Sequence, residues 1–307
     1  MSDPIVTLAT SKDLPKLDVD EAGLPDALRE RHIEPRVVAW NDPDYDWNDA
    51  GVVVVRSVRD YGRDPQAFIS WARSVPRILN HADIMAWNSD KHYLRELEAA
   101  GLPTIPTTWL EPEENLTKHQ VHTRFPAHGD FVVKPAVSSG GRGTGRYTAT
   151  DPASRSQAIL HAQHELAKGR SVMVQRYLEN IDRTGEVSLI FLNGLASYRV
   201  EKAPLLHPRF RSADQIQEEV VSVSAARESE WRWGERVRNV LHGLIREHTG
   251  RDHLLLFNRV DIVPAAPGDP NEFYVMEISL IDGSLYLSLD ESHLNRFADA
   301  IAVRTAW

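Results

Sequence analysis

Phe131-Val132-Val133-Lys134-Pro135-Ala136-Val137-Ser138-Ser139-Gly140-Gly141-Arg142-Gly143-Thr144-Gly145-Arg146-Tyr147 is the stretch that decides how the rest of this chain is read. Three strand-forming apolar residues run into Lys134, and Pro135 then removes a backbone donor and stops the ladder. From Ser138 to Gly145 every residue except Arg142 is small. Without Cβ atoms, Gly140, Gly141, Gly143 and Gly145 let the backbone lie against a ligand and aim successive N–H groups at it. Lys134, Arg142 and Arg146 add positive charge around them. An amide-rich cationic loop suits a polyphosphate. A hairpin tip that binds nothing has the same composition, and composition alone does not separate the two. Gly140 to Gly145 has Gly-x4-Gly spacing, but Arg146-Tyr147 stands where the common phosphate loop requires Lys-Ser/Thr. Thr148 likewise breaks the pattern Gly-x-Gly-x-x-Gly. Because 146–150 reads as another strand, the loop joins two strands and does not open a helix.

Length and charge narrow the class. The 307 residues leave room for about two or three domains with substantial cores. A formal charge of −9 argues against a nucleic-acid or anionic-membrane surface, so the cations are expected to serve local sites. Lack of cysteine excludes disulfides, thiolate metal sites and a thiol nucleophile. There is neither a charged leader followed by a long apolar segment nor an apolar run approaching ~18 residues, so a cytoplasmic protein without a membrane span is expected.

Upstream of the loop, strands and helices alternate. Segments 5–9 and 36–40 read as strands with a helix at 20–31 between them. Residues 52–56 open with four valines, the pattern of a strand buried on both faces. A helix at 64–74, a short strand at 77–80 and a helix at 89–100, closed by Gly101 and Pro103, follow. This order predicts an N-terminal domain, 1–110, on a small doubly wound parallel sheet. Residues 111–129 show no clear period and read as a connection. Beyond 130 the style becomes hairpins with interleaved helices. Asp151-Pro152 opens a helix to Lys168, and 171–178 is a strand. Asn193-Gly194, between strands 186–192 and 195–202, is a type I′ hairpin signal. A helix over 228–248 stops before Gly250, and strands 253–263 and 272–280 flank a Pro- and Gly-rich turn. Leu294, Phe297, Ala298 and Ile301 make the stripe of a last helix.

Those last two strands carry a second constellation. Side chains alternate along a strand, so Arg259 and Asp261 share one face, and Glu277 and Ser279 share one on the returning strand. A turn centred near Gly268 and Asp269 sets Asp261 opposite Glu277 and Arg259 opposite Ser279. Carboxylates placed side by side repel unless something cationic intervenes. Mg2+ suits them, since it takes one or two carboxylates with waters and phosphate oxygens. The other reading is a solvent-facing polar side on which Arg259 neutralises the acids.

The glycine loop behind Lys134, the hairpin block and the Arg-x-Asp and Glu-x-Ser strands resemble the ATP-grasp superfamily over nearly the whole chain. The resemblance implies an α/β (α+β) architecture: the N-terminal domain, then two α+β subdomains that sandwich ATP. These are 111–178, with the glycine loop, and 179–307, with the metal site. It implies ATP and Mg2+ as cofactors and a small-molecule carboxylate or amino-acid substrate. By position, Lys91 and Lys134 match the nucleotide-contacting lysines, with Ser139, Gly140, Gly141 and Gly143 in the loop over the phosphates. Gln175, Tyr177 and Leu178 match the hinge strand beside adenine, and Glu186 the acid near the ribose. Arg259 matches a residue near the transferred phosphate, and Asp261, Glu277 and Ser279 match the metal ligands. The third ligand is normally Asn or Glu, and Asp282 is a candidate to make up for the weaker serine.

A narrower resemblance rests on residues 38–43 (Val-Ala-Trp-Asn-Asp-Pro), 54–61 (Val-Val-Arg-Ser-Val-Arg-Asp-Tyr) and 88–94 (Asn-Ser-Asp-Lys-His-Tyr-Leu). They resemble a bacterial glutathione-synthetase-like branch that includes the O-ureidoserine cyclo-ligase of cycloserine biosynthesis. That branch often carries Phe-Arg followed by a Gly-Gly pair; Phe210-Arg211 is present and the pair is not.

The implied reaction is carbon–nitrogen ligation, within one molecule or between two, through an acyl phosphate that an amine-type nitrogen attacks. A phosphotransferase and a nucleotide-binding regulatory protein are the alternatives. Lys202 is a candidate to reach a phosphate or carboxylate, although a solvated strand end explains it too. Arg56, Ser57 and Asp60 follow the C-terminal end of a parallel strand, where open α/β sheets place ligands. They are read as substrate-facing, as is Arg199; a loop salt bridge would look the same. His119/His122 and His161/His164 lack a third ligand and read as surface residues, and Trp231 and Trp233 as packing. A homodimer is compatible with the sequence and not required by it.

Overall fold

The computed structural model describes residues 3–206 and 219–306. Strands β1 (Ile5–Thr10), β2 (Glu34–Ala39), β3 (Val52–Val55) and β4 (Ile78–Leu79) form a parallel sheet in the order β2-β1-β3-β4. The valines of β3 point alternately to its two faces. Val52 and Val54 share a core with Leu24 and Leu28 of helix α1 (Leu24–Arg29). Val53 and Val55 share another with Phe68 and Ala72 of α2 (Pro65–Ser74). The run of valines is therefore a strand covered on both sides, as a doubly wound sheet requires.

Two helices differ from expectation. The first begins late: a 3-10 turn at Val19–Glu21 precedes α1, which has Pro25 in its first turn. An unexpected helix, α3 (Ala82–Asn88), comes next, and the helix expected over 89–100 starts only at Tyr93, as α4 (Tyr93–Ala99). Between them the Lys91 amide donates to Ala136 O at 3.0 Å, and Asp90 Oδ1 accepts from the His92 amide at 3.0 Å. A continuous helix would keep those amides for itself.

The glycine loop belongs to an antiparallel sheet of β5 (Thr107–Leu110), β6 (Asp130–Pro135), β7 (Gly145–Thr148) and β8 (Val172–Arg176), ordered β5-β8-β6-β7. Thr107–Leu110 falls within 1–110 yet pairs with β8, so this sheet starts earlier than expected. The stretch read as a bare connection contains α5 (Lys118–Thr123), set by a reciprocal cap between Thr117 and Gln120. Helix α6 (Pro152–Ala167), capped by Asp151 as expected, covers the back of the sheet through Ala158, Ile159 and Ala162.

After the short α7 (Ile181–Thr184), β9 (Glu186–Leu192) and β10 (Leu195–Lys202) form the expected hairpin, with Asn193 and Gly194 both at positive φ. With β11 (Val221–Val223), β12 (Phe257–Pro264) and β13 (Phe273–Ser279) they make an antiparallel sheet ordered β11-β10-β9-β12-β13. Residues 253–256 precede β12 and are not part of it. Helix α8 (Glu228–Thr249) packs Trp233, Val237 and Leu241 on one face, where Trp231 also packs. The last helix, α9 (Glu291–Thr305), packs Phe297, Ala298 and Ile301 on the other face. Val6, Leu8, Leu24 and Leu28 of the N-terminal unit enter that same core. Phe210-Arg211 lies outside the described residues.

Candidate active site

A cavity of about 610 Å³ is lined by the glycine loop, the C-terminal sheet and loops of the N-terminal unit. Lys134 sits one residue before the end of β6, its buried ammonium in the cavity wall. It has no hydrogen-bond or ion-pair partner among the described residues. Burial pushes its pKa down to about 8, against the pull of Glu277 and Glu186. Lys91 Nζ lies 2.9 Å from Ser138 O and 3.5 Å from Glu277 Oε1. Ser139, Gly140 and Gly141 line the cavity, both glycines with left-handed φ (62° and 69°), and Ser139 Oγ donates to Asp282. Gly143 stands behind them against Pro135, outside the lining.

Across the cavity, β12 and β13 pair Asp261 with Glu277 and Arg259 with Ser279, as strand alternation predicts. Arg259 Nε and Nη2 reach Asp261 at 3.0 and 2.9 Å, and Ser188 Oγ donates to Asp261 Oδ1 at 2.5 Å. Lys202 Nζ lies 2.8 Å from Glu186 Oε2 and 3.4 Å from Asp261 Oδ2. Burial raises the carboxyl pKa values, but Arg259 and Lys202 hold Asp261 below the usual range, and Lys91 and Lys134 do the same for Glu277. Both acids stay ionised. Asp261 is 1% exposed and Arg259 7%, so this is not a solvated polar face.

Ile105, Val132, Tyr177, Leu178 and Met276 give the cavity an apolar slot. Strict alternation puts Met276 on the face away from Glu277. The strand bulges there: Asp261 pairs with Glu277 and Ile262 with Val275, which leaves Met276 as the extra residue. Gln175 Nε2 donates to Thr107 Oγ1 at 2.8 Å. The Tyr177 hydroxyl donates to Asp182 at 2.6 Å, with the Arg146 guanidinium 3.5 Å over its ring. Arg146 is therefore not a loop cation: Asp130 and Asp182 hold it behind the slot.

The donor set fits a nucleotide triphosphate with Mg2+. Two ionised carboxylates share the cavity with the buried Lys134 ammonium, which has no partner among the described residues, and Mg2+ takes one or two carboxylates with phosphate oxygens. No three His, Asp or Glu side chains converge as a metal-holding group among the described residues. Ser279 lines the cavity beside Glu277, whereas Asp282 accepts from Ser139.

The substrate-facing expectation is corrected: Arg56 and Asp60 are absent from the cavity lining, and Ser57 lines only a small recess beside it, with Asp18, Arg59 and Asp282. Arg56 is fully buried against Glu21, Ser57 Oγ donates to Glu21 Oε2 at 2.6 Å, and Asp60 accepts from Trp40 Nε1 at 2.9 Å. The chain turns at once after β3, with the Val58 amide on Arg56 O, so the alternation ends there. Arg59 and Tyr61 face the cavity instead, Arg59 paired with Asp18 at 2.9 Å. Arg199 is turned away as well, to Glu230 at the start of α8 (3.1 Å). Sequence reasoning missed Asp18, Asp20, Arg59 and Tyr286 in the lining, because turns and not periodic elements present them.

Residues 6–80 match the family model described as D-cycloserine synthetase DcsG, N-terminal domain. Over 316 residues the chain is 31% identical to the cycloserine biosynthesis protein DcsG of Streptomyces lavendulae, with 98% of each chain covered. The chain belongs to the DcsG family of ATP-grasp ligases. The crystal structure of D-cycloserine synthetase DcsG superposes with a TM-score of 0.83 at 29% identity, covering 98% of this chain and 99% of that one. D-alanine–D-alanine ligase from Bacillus anthracis complexed with ATP shares the fold, with a TM-score of 0.63 at 14% identity over 99% and 97% of the two chains. The DcsG-family protein described here is an ATP-dependent ligase. None of its described helices is long and apolar enough to cross a membrane.

Proposed function

We propose that this ligase activates the carboxylate of an amino-acid-like substrate as an acyl phosphate and forms a C–N bond there, closing a ring as cycloserine formation requires. One observation carries the reading. The Lys134 ammonium, without a partner among the described residues, and the ionised Asp261–Glu277 pair reach a single cavity from two different sheets. The relative's name supplies the product class.

In this reading Lys91, Lys134 and the amides around Ser139, Gly140 and Gly141 hold phosphates. Ile105, Val132, Tyr177, Leu178 and Met276 form the slot for the base, closed on the β8 side by Gln175, with Glu186 near the ribose. Asp261 and Glu277, with Ser279 beside them, would hold Mg2+, which neutralises phosphate charge when bound. Arg259 stabilises charge that develops during phosphoryl transfer, and Lys202 holds Asp261 and Glu186 in place. Nitrogen attack on the acyl carbon then expels phosphate.

Hydroxylamine trapping with ATP, Mg2+ and O-ureidoserine tests this. A hydroxamate formed with ADP supports it. A stable phosphorylated product points to a phosphotransferase, and no ADP with any amino-acid carboxylate points to a binding protein. Lys134→Ala and Glu277→Ala are each expected to lower turnover by about 10²–10³-fold. Near-normal turnover with the fold retained by circular dichroism rejects the site.

A further inference from the structure

The loop after β13 runs Asp282-Gly283-Ser284-Leu285-Tyr286, and each residue holds a different part of the molecule. Asp282 accepts from Ser139 of the glycine loop. Gly283 O accepts from Arg56 Nη2 at 3.0 Å, and Ser284 O from Arg259 Nη1 at 2.9 Å. Leu285 O accepts from the Tyr198 hydroxyl at 2.8 Å, and the Tyr286 hydroxyl donates to Glu219 at 3.0 Å. The loop fits tightly where it passes the site. A Cβ on Gly283 would lie 2.5 Å from Ser279 Cβ and 3.1 Å from Arg259 Nη1. Two arginines from distant parts of the chain therefore grip successive carbonyls, one out of reach of the cavity and one in its wall.

We propose that Arg56, held by Glu21, is a positioning residue for Arg259: it fixes the loop whose next carbonyl aims the Arg259 guanidinium. The proposal rests on the reading that Arg259 serves phosphoryl transfer. Burial makes a purely structural role a poor account of Arg56. Its side chain is fully buried, its guanidinium lies 4.8 and 5.4 Å from the ring centres of Phe257 and Phe297, and Nη1 has no hydrogen-bond partner among the described residues. Apolar side chains often fill such a site with no loss of stability, because a buried ion pair must first be desolvated. What they cannot supply is direction. A guanidinium anchored on Glu21 through Nε and Nη2 presents Nη2 to Gly283 O at a fixed angle.

Replacing both partners, Glu21→Gln/Arg56→Met, leaves no orphan charge and is expected to fold. We expect kcat to fall about 10²-fold, the scale of a small misplacement of a catalytic group. KM for ATP should stay unchanged, since no nucleotide-contacting residue is altered. Arg56→Lys keeps the charge balance but not the fork; it should give the same split, and it replaces the paired variant if that one is unstable. The decisive measurement is a cycle with Arg259→Lys, in which losing Arg56 should cost no further kcat. Additive losses, or wild-type kcat in the paired variant, overturn the proposal alone. Normal turnover in Arg259→Lys overturns the reading of Arg259 and this proposal with it.

Discussion

Lys134 is a cation in a place that disfavours cations. Burial lowers its pKa from 10.5 to about 8, and Lys91 and Lys202 push the same way. Between pH 8 and 10.5 the unfolded chain therefore binds more protons at this residue than the folded one, so its contribution makes stability rise with pH. Below the folded pKa the charge is present in both states and the full cost of burying it remains. Lys134→Met should thus be more stable than the parent at pH 7, with the difference shrinking as pH passes from 8 to 10.5. Urea denaturation at pH 7 and pH 10 measures it; equal stability at both would show that the buried charge costs nothing. The same variant should have lost ATP turnover, the usual trade between stability and a prepared site. Lys134 was legible because strand, proline and glycine follow one another in sequence. Arg56 was misread for the opposite reason: the chain leaves β3 in a turn, and no period says which of Arg56 and Arg59 looks inward.

At the scale of elements, the β9–β10 hairpin sets the Glu186–Lys202 pair. Its Asn193-Gly194 turn pairs Leu192 with Leu195, and a bulge at Ser197 then shifts the register by one residue, which brings Lys202 opposite Glu186. Gly185, just before Glu186, has φ 65°, and a Cβ there would lie 2.1 Å from Lys202 O. Gly185→Ala is therefore expected to destabilise by about 1–3 kcal/mol and to raise KM for ATP as the pair shifts. A urea titration and an ATP titration read the two effects, and an unchanged midpoint would mean that the strand ends part at no cost. This hairpin and the opposed carboxylates could be read in advance because alternation and turn chemistry are local. Helix α5 could have been read as well, since Thr117 and Gln120 stand at capping-box spacing. The break between α3 and α4 and the bulge at Met276 could not. The first depends on the Ala136 carbonyl, which is distant in sequence, and the second on one extra residue in the β12 pairing, which the alternation of the two strands does not mark.

On the scale of the whole molecule, the three sheets do not divide the chain into three independent units. The glycine-loop sheet has a core of its own, from Leu110 through Phe131 to Val174. One face of the N-terminal sheet does not: Val6, Leu8, Leu24 and Leu28 share their core with Ile190, Phe257, Phe297 and Ile301. Polar contacts cross the same boundary. The buried Asn80 side chain bonds Phe257 O, Leu280 O and the Leu256 amide, each at 2.9 Å, and Arg31 pairs with Asp299 at 2.6 Å. A fragment spanning 3–103 would lose this apolar cover, worth about 25 cal/mol per Å². It would also strand the three hydrogen-bonding groups of Asn80. Such a fragment is expected to show no cooperative thermal transition and poorly dispersed amide resonances. A sharp transition would instead mark the N-terminal sheet as an autonomous unit that merely leans on α9. The Arg56 grip on Gly283 would then join two bodies free to shift, and Arg259 would have no fixed frame from which to act.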